Sequence, residues 1–282
     1  MIIRWTYAFV DRPAARLAEA RAFWTAVTGT RLSQLRGDQG EFLTLLPGGA
    51  DGTDACVKLQ GVAETDGGAH IDLCTEDVRE LIRAARELGA DLVADHGDWA
   101  VLRSPAGPLF CAVPWHGETV RPPVVAGSRL DQVCLDIPPS AYDAETAFWD
   151  RLTGWERQPG SRPEFTVLKP PAGLPVRLLL QRLDDERPAS AHLDLACADI
   201  AAVRSRHEEL GAALVRQGAH WAVLRDPAGG TYCLTGRDPE TGGLPGRDQR
   251  TVDVEKHWTR VPAGSSGGPA VGLGEQPWPS SG

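Results

Sequence analysis

Lysine is almost missing from this chain, occurring only as Lys58, Lys169 and Lys256 beside plentiful arginine. Acids outnumber bases, 38 Asp+Glu against 29 Lys+Arg, for a net charge of −9. A surface of that sign argues against nucleic acid or an anionic membrane as the main partner. No apolar run reaches the ~20 residues that a membrane span needs. The opening MIIRWTYAFV meets Asp11 and Arg12 at once, without the regions of a signal peptide, so a cytoplasmic protein is expected. The six cysteines include no CxxC pair and sit mostly in apolar, strand-like runs, which predicts buried, reduced thiols. Gly48-Gly49 and Gly229-Gly230 lack a following Lys-Ser/Thr, which excludes a phosphate loop.

What the chain does have is a duplication. Residues 69–113 return at 191–235 with a constant offset of 122 (192 minus 70), about twenty of forty-five positions being identical. AH-x-DL, ELGA, WAVLR and PAG all keep register. AFWTAVTG (22–29) matches AFWDRLTGWE (147–156) at offset 125, Glu41-Phe42 matches Glu164-Phe165, and Gln60 matches Gln181. The drift in offset reflects loop-length changes within a shared order of elements. One domain therefore covers 1–116 and a second 127–236, joined by a polar, Pro-containing linker at 117–126. Residues 237–282 are rich in Gly, Pro and Ser without apolar period, and a disordered tail is expected there, with Trp258 and Trp278 solvated.

Periodicity places elements inside each unit. His70–Thr75 alternates as a strand. Asp77 caps a helix over Val78–Leu88, with Val78, Leu81, Ile82, Ala85 and Leu88 on one face and Gly89 at its end. Asp91–Ala94, Trp99–Arg103 and Leu109–Val113 read as strands, the last two joined by Pro105-Ala106-Gly107. Arg4–Val10 is a strand, Ala15–Thr28 a helix ended by Gly29, and Phe42–Leu46 and Cys56–Gln60 are strands. Each unit is thus two βαβββ modules. Phe23-Trp24 and Phe148-Trp149 fall at core spacing on helices. His96, His116, His207, His220 and His257 have no counterpart in the other unit and are expected at the surface.

The string FW-x3-TGWE, then LLLQR, AHLDL-x3-D, ELGA and WAVLRDPAGGTYC resembles glyoxalase-like domains of the vicinal oxygen chelate (glyoxalase/bleomycin-resistance/dioxygenase) superfamily. The resemblance spans nearly all of 1–236. It implies an α+β fold, four βαβββ modules forming two tandem domains, each a cup-shaped mixed sheet with helices outside. Many such enzymes hold a divalent metal in the cup through His and Glu on the first and last strand of each module. His70 and His192 stand at one such position. The final strand offers Cys111 and Cys233, the end of the first module Gln60 and Gln181, and the opening strand Arg4 or Thr6 and Arg129 or Asp131.

Alternation puts His70, Asp72 and Cys74 on one strand face, and likewise His192 and Asp194. Trp99 with Arg103, and Trp221 with Arg225, either line the cup, where they would suit an aromatic or anionic molecule, or close its edge. The ligand-binding set is therefore His70, Asp72, Gln60, Cys111, Trp99, Arg103, His192, Asp194, Gln181, Cys233, Trp221 and Arg225. A divalent metal (Zn, Fe, Mn or Ni), if any, would use His192, Asp131, Gln181 and Cys233, or His70.

Three functions compete. The first is a metal-independent binder of a small organic molecule, for sequestration or bleomycin-type resistance, favoured by an intact cup with an eroded ligand set. The second is a metal-dependent lyase, isomerase or dioxygenase. The third is a non-catalytic interaction module. Two fused units would mimic a dimer within one chain, so a monomer is expected.

Overall fold

The computed structural model describes residues 2–48, 52–63 and 67–244. The first half runs β1 (Ile3–Pro13), α1 (Leu17–Thr28), β2 (Thr30–Leu32), β3 (Phe42–Pro47), β4 (Val57–Val62), β5 (Gly68–Thr75), α2 (Val78–Glu87), β6 (Asp91–Asp95), β7 (Ala100–Arg103) and β8 (Leu109–Pro114). The second half repeats it as β9 (Ser128–Ile137), α3 (Tyr142–Thr153), β10 (Glu156–Pro159), β11 (Phe165–Lys169), β12 (Arg177–Arg182), β13 (Ser190–Cys197), α4 (Ile200–Glu209), β14 (Ala213–Gln217), β15 (Trp221–Arg225) and β16 (Thr231–Thr235). Each half forms one eight-stranded mixed sheet, ordered β2-β3-β4-β1-β5-β8-β7-β6 and β10-β11-β12-β9-β13-β16-β15-β14. The two modules of a half meet where β1 runs antiparallel to β5, and β9 to β13.

Local chemistry accounts for the boundaries. The helix expected from Ala15 begins at Leu17, after a 3-10 turn over Ala14–Arg16 that follows Pro13. Gly29 and Gly154 end α1 and α3 in the left-handed conformation at φ 61°, where a Cβ would be strained. Asp77 accepts the Glu80 amide at 2.8 Å, and Asp199 accepts the Ala201 and Ala202 amides, so α2 and α4 share a cap. The short strands β2 and β10 carry little apolar period and left no signal in the sequence.

The two halves share one hydrophobic core, from Ile3 through Leu234. Helix α1 of the first half reaches across: Phe23 and Trp24 pack on Tyr232 of β16 at 5.8 and 5.2 Å between centroids. Helix α3 answers with Phe148 and Trp149 on Phe110 of β8, at 5.9 and 5.0 Å. These four aromatics are packing residues, as their spacing predicts. His207 departs from its expected surface place: it lies buried on α4, its Nδ1 2.9 Å from the Tyr232 hydroxyl, because the Phe23 ring covers it from the other half. His257 lies outside the described residues.

The linker is not free chain. Asp54 accepts the Thr119 and Val120 amides, and Glu118 accepts the Tyr7 hydroxyl at 2.6 Å. The segment expected to be disordered from 237 starts with a folded turn instead. Asp238 accepts the Glu240 and Thr241 amides, and Arg129 donates to the Glu240 carbonyl at 2.6 Å. Trp258 and Trp278 lie outside the described residues. Among the described residues no helix is long and apolar enough to cross a membrane.

Candidate functional site

Strand register decides what faces the two repeated histidines. In the first half Lys58, Phe9 and His70 stand side by side on β4, β1 and β5. In the second, Leu179, Cys134 and His192 occupy the same places on β12, β9 and β13. The residue opposite each histidine is therefore Phe9 or Cys134, neither of them among the opening-strand candidates. Arg4 instead pairs at the surface with Glu76, at 2.8 Å. Asp131, a candidate ligand, sits at a bulge in β9 where the register slips between Asp194 and Leu195. Arg177 and Arg237 hold it at 2.8 and 3.0 Å, and it belongs to an ion-pair cluster away from His192. The one-residue bulge is what a count of alternation misses.

The first cup is nearly filled by its own side chains. The Phe9 ring stacks on His70 at 4.2 Å. His70 Nδ1 lies 2.7 Å from Asp11 and its Nε2 3.7 Å from Asp72. Lys58 Nζ pairs with Asp72 at 3.1 Å and sits 3.7 Å over the Tyr7 ring. Cys111 adjoins Asp72 on β8 and is buried. Burial first, then the Asp72 charge, push its thiol well above the usual range. Burial opposes the His70 imidazolium, but the Asp11 charge and hydrogen bond outweigh it, and the pKa ends raised. Gln60 stands beside Asp11 on β4. Trp99 lies edge-on to Phe42 at 6.5 Å and stacks on His96 at 4.0 Å. Arg103 turns away to the Gly107 carbonyl at 3.2 Å and is exposed.

The second cup keeps the frame and loses the filling. His192 is bracketed by Asp136 at 3.1 Å and Asp194 at 3.3 Å, and Asp194 also accepts Gln132 Nε2 at 2.6 Å. Cys134 and Cys233 each bring their sulfur within 4.8 Å of a His192 ring nitrogen. Against burial, the two sulfurs and then the two carboxylates raise the imidazole well above its ordinary pKa, while burial pushes both thiols up. Gln181 Oε1 accepts the Cys134 thiol at 3.8 Å. Where the first cup has buried His70 and Cys111, His192 and Cys233 are partly exposed. Trp221 is half-buried beneath the Arg216 guanidinium at 4.7 Å, and Arg225 is exposed.

Three groups of possible metal donors gather within 4.8 Å among the described residues: His70, Asp72 and Cys111; Cys134, Asp136 and His192; and His192, Asp194 and Cys233. In the first group Phe9 covers one face of the imidazole, Nδ1 is taken by Asp11, and Lys58 pairs with Asp72, placing a cation beside the donors. In the second cup each group offers one thiol, one carboxylate and the shared His192 imidazole, a mixed set that zinc accepts. Its histidine, too, has a carboxylate at each nitrogen.

The chain matches the glyoxalase-like domain family over residues 7–113 and again over 132–235. No curated protein sequence matches it. Among solved structures it is similar to the halotolerant catechol dioxygenase BphC, at 18% identity and TM-score 0.56 over 83% of this chain and 87% of that one. A variant of 4-hydroxymandelate synthase from Streptomyces coelicolor aligns at 14% identity and TM-score 0.54, over 81% of this chain and 91% of that one. For 2,2',3-trihydroxybiphenyl 1,2-dioxygenase from Sphingomonas wittichii the values are 14% and 0.55, over 83% and 90%. At these identities the likeness is one of fold. With both halves matched, this chain belongs to the glyoxalase-like domain family, as a tandem pair of such domains.

Proposed function

We propose that the protein binds a small organic molecule without a metal, on the concave face of its second domain, with the first domain as a filled structural partner. The observation that carries this is the position opposite each histidine. Phe9 lies on His70 in one cup, and each imidazole has a carboxylate at both nitrogens. The Nδ1 contact to Asp11 or Asp136 ties β5 to β1, and β13 to β9, and supports a structural role for each imidazole, while Nε2 faces Asp72 or Asp194 without a hydrogen bond. In the second domain Cys134, Val167 and Leu179 form a small buried apolar cluster separate from the main core, with the partly buried Phe165 packed on it, and this cluster would back a ligand body.

Metal content and ligand-dependent melting of protein purified without a polyhistidine tag test the reading. The expected result is substoichiometric metal, with a melting temperature that rises with an organic ligand and not with divalent ions. One metal per chain, lost in His192→Ala but not in His70→Ala, would overturn it. That outcome would favour a second reading, a metal centre on His192, Asp194 and Cys233 serving lyase, isomerase or dioxygenase chemistry, motivated by their ligand atoms lying within 4.8 Å of one another.

A further inference from the structure

The concave face of the second domain has an end without counterpart in the first. Cross-strand pairing sets Arg177, Gln132, Asp194 and Cys233 in one row, and Arg129, Ala196, Thr235 and Trp221 in the next. Arg237 follows β16 and joins Arg177 on Asp131. In the first domain the places of Asp131, Arg177 and Arg237 are taken by Thr6, Cys56 and Trp115. Only Arg4 persists, in the place of Arg129.

The charges at this end do not balance. Arg177 and Arg237 pair with Asp131, whose side chain is 3% exposed, Arg121 feels the charges of Asp131 and Arg129, and the one other buried carboxylate acting on Arg237, Asp194, is shared with His192. The Nε atoms of Arg121 and Arg129 are buried without an acceptor, although the Arg129 side chain is only 9% exposed. Burying guanidiniums without full compensation is costly unless an anion arrives. Burial lowers Arg121 and Arg237 below the usual arginine range, and the Arg129 charge lowers Arg121 further.

One more carboxylate reaches the cluster. Glu240 Oε2 lies 3.3 Å from Arg129 Nη1, yet its side chain is 69% exposed. It rides on the turn held by Asp238. In that turn Gly242, at φ +68°, lies so close over the Arg177–Asp131 pair that a Cβ would collide with the Arg177 guanidinium. An exposed acid on a surface turn is a weakly held counterion. Beside the arginines, Leu179 follows Arg177 on the same face of β12 and leads into the apolar cluster with Val167 and Phe165.

We propose that this end of the concave face binds a small organic anion of the carboxylate class, its charge held by Arg129 and Arg177 and its apolar body resting on Leu179, Val167 and Phe165, with Glu240 taking the anion's place when none is bound. The planar guanidinium fork matches a carboxylate, and the chain itself already presents one there. The inference rests on the reading of the second cup as a metal-free binding site and deepens it by naming the ligand class.

Benzoate and its neutral analogue benzamide, titrated by calorimetry and by chemical shifts of the His192 ring, test it in the full chain. Benzoate is expected to bind at millimolar concentration or below, at least about tenfold more tightly than benzamide. Glu240→Gln is expected to tighten benzoate, and Gly242→Val, which pushes the turn off Arg177, to do the same by another route. Arg177→Gln should abolish the preference while leaving the melting temperature within a few degrees of Arg177→Lys. Equal binding of the two probes, indifferent to Arg177, would overturn the anion assignment while leaving a metal-free binding cup standing. No binding of either probe by the Glu240→Gln protein would also overturn it, and metal content would then judge the broader reading.

Discussion

Arg12 Nε and Asp226 Oδ2 lie 2.7 Å apart with side chains 1% and 0% exposed, an ion pair sealed between the two halves of the chain. Asp226 opens the DPAGG turn of the second domain and also accepts Trp24 Nε1 at 2.9 Å. Arg12 donates onward to the carbonyls of Asp11 and Gly68, at 2.7 and 2.8 Å, next to the carboxylate that holds His70. The turn of one domain thus anchors the two strands on which the other builds its cup.

Removing one member of a buried pair strands the other. Asp226→Ala is expected to cost about 3–5 kcal/mol in urea unfolding. The related place in the other half carries Ile137 and Ser104, with no charge at either. A double variant, Arg12→Ile with Asp226→Ser, should therefore cost clearly less than Asp226→Ala alone. A double variant as unstable as the single would show that Arg12 is not the group left stranded.

Two neighbouring glycines give a paired test of the same turn. A Cβ on Gly230 would run into the Arg12 guanidinium, whereas one on Gly229 meets open space and only the strain of φ +103°. Gly229→Ala is expected to cost roughly 1 kcal/mol and Gly230→Ala several times that, read as shifts in the urea midpoint. Equal losses would contradict the placement of Arg12 beneath the turn.

His207 makes stability depend on pH. Burial lowers its pKa from about 6.5 to about 4, since the imidazole is held neutral against Tyr232. The folded chain then binds this proton less readily than the unfolded one. Stability is complete above pH ~6.5, falls as the pH drops through that value, and levels off near pH 4. The loss from this one group is about 3 kcal/mol. In His207→Gln the slope of unfolding free energy between pH 7 and 4.5 should flatten; an unchanged slope would mean that His207 does not titrate on unfolding.

Phe9 fills the first cup, and Phe9→Ala should cost about 3 kcal/mol, in the range of aromatic truncations. The sharper readout is His70, whose ring resonances should move downfield once the Phe9 face is gone. Unmoved resonances would show that the 4.2 Å stack is not kept in solution.

Much of this architecture is legible in the sequence. The repeat offset, the Asp77 cap and the glycine stops carry the modules, because each is local or periodic. The His70–Asp72 and His192–Asp194 rows are legible for the same reason. What faces them is not. Phe9 and Cys134 lie opposite the histidines through strand register, which is set by packing between modules, and the Asp131 bulge shifts alternation by one. His207 looked like a surface residue because the ring that covers it comes from almost two hundred residues upstream. The arginine end of the second cup was invisible as well, since Arg129, Arg177 and Arg237 are far apart in sequence and meet only through register and the turn beyond β16.

The two inter-domain seams satisfy a tryptophan from opposite sides. Trp24 donates to Asp226 on the facing turn, while Trp149 donates at 2.7 Å to Glu145 on its own helix, which also accepts the Ala106 amide at 2.8 Å. The small residues Ala20 and Ser104 stand where the other seam has its acid. A self-paired second half would bring Glu145 and Asp226 together in both seams, two buried acids competing for one indole. A self-paired first half would bring Ala20 and Ser104 together and leave Trp24 no acid at all. Each half is therefore built to reject its own likeness and accept the other, so the two seams are satisfied only when unlike halves meet.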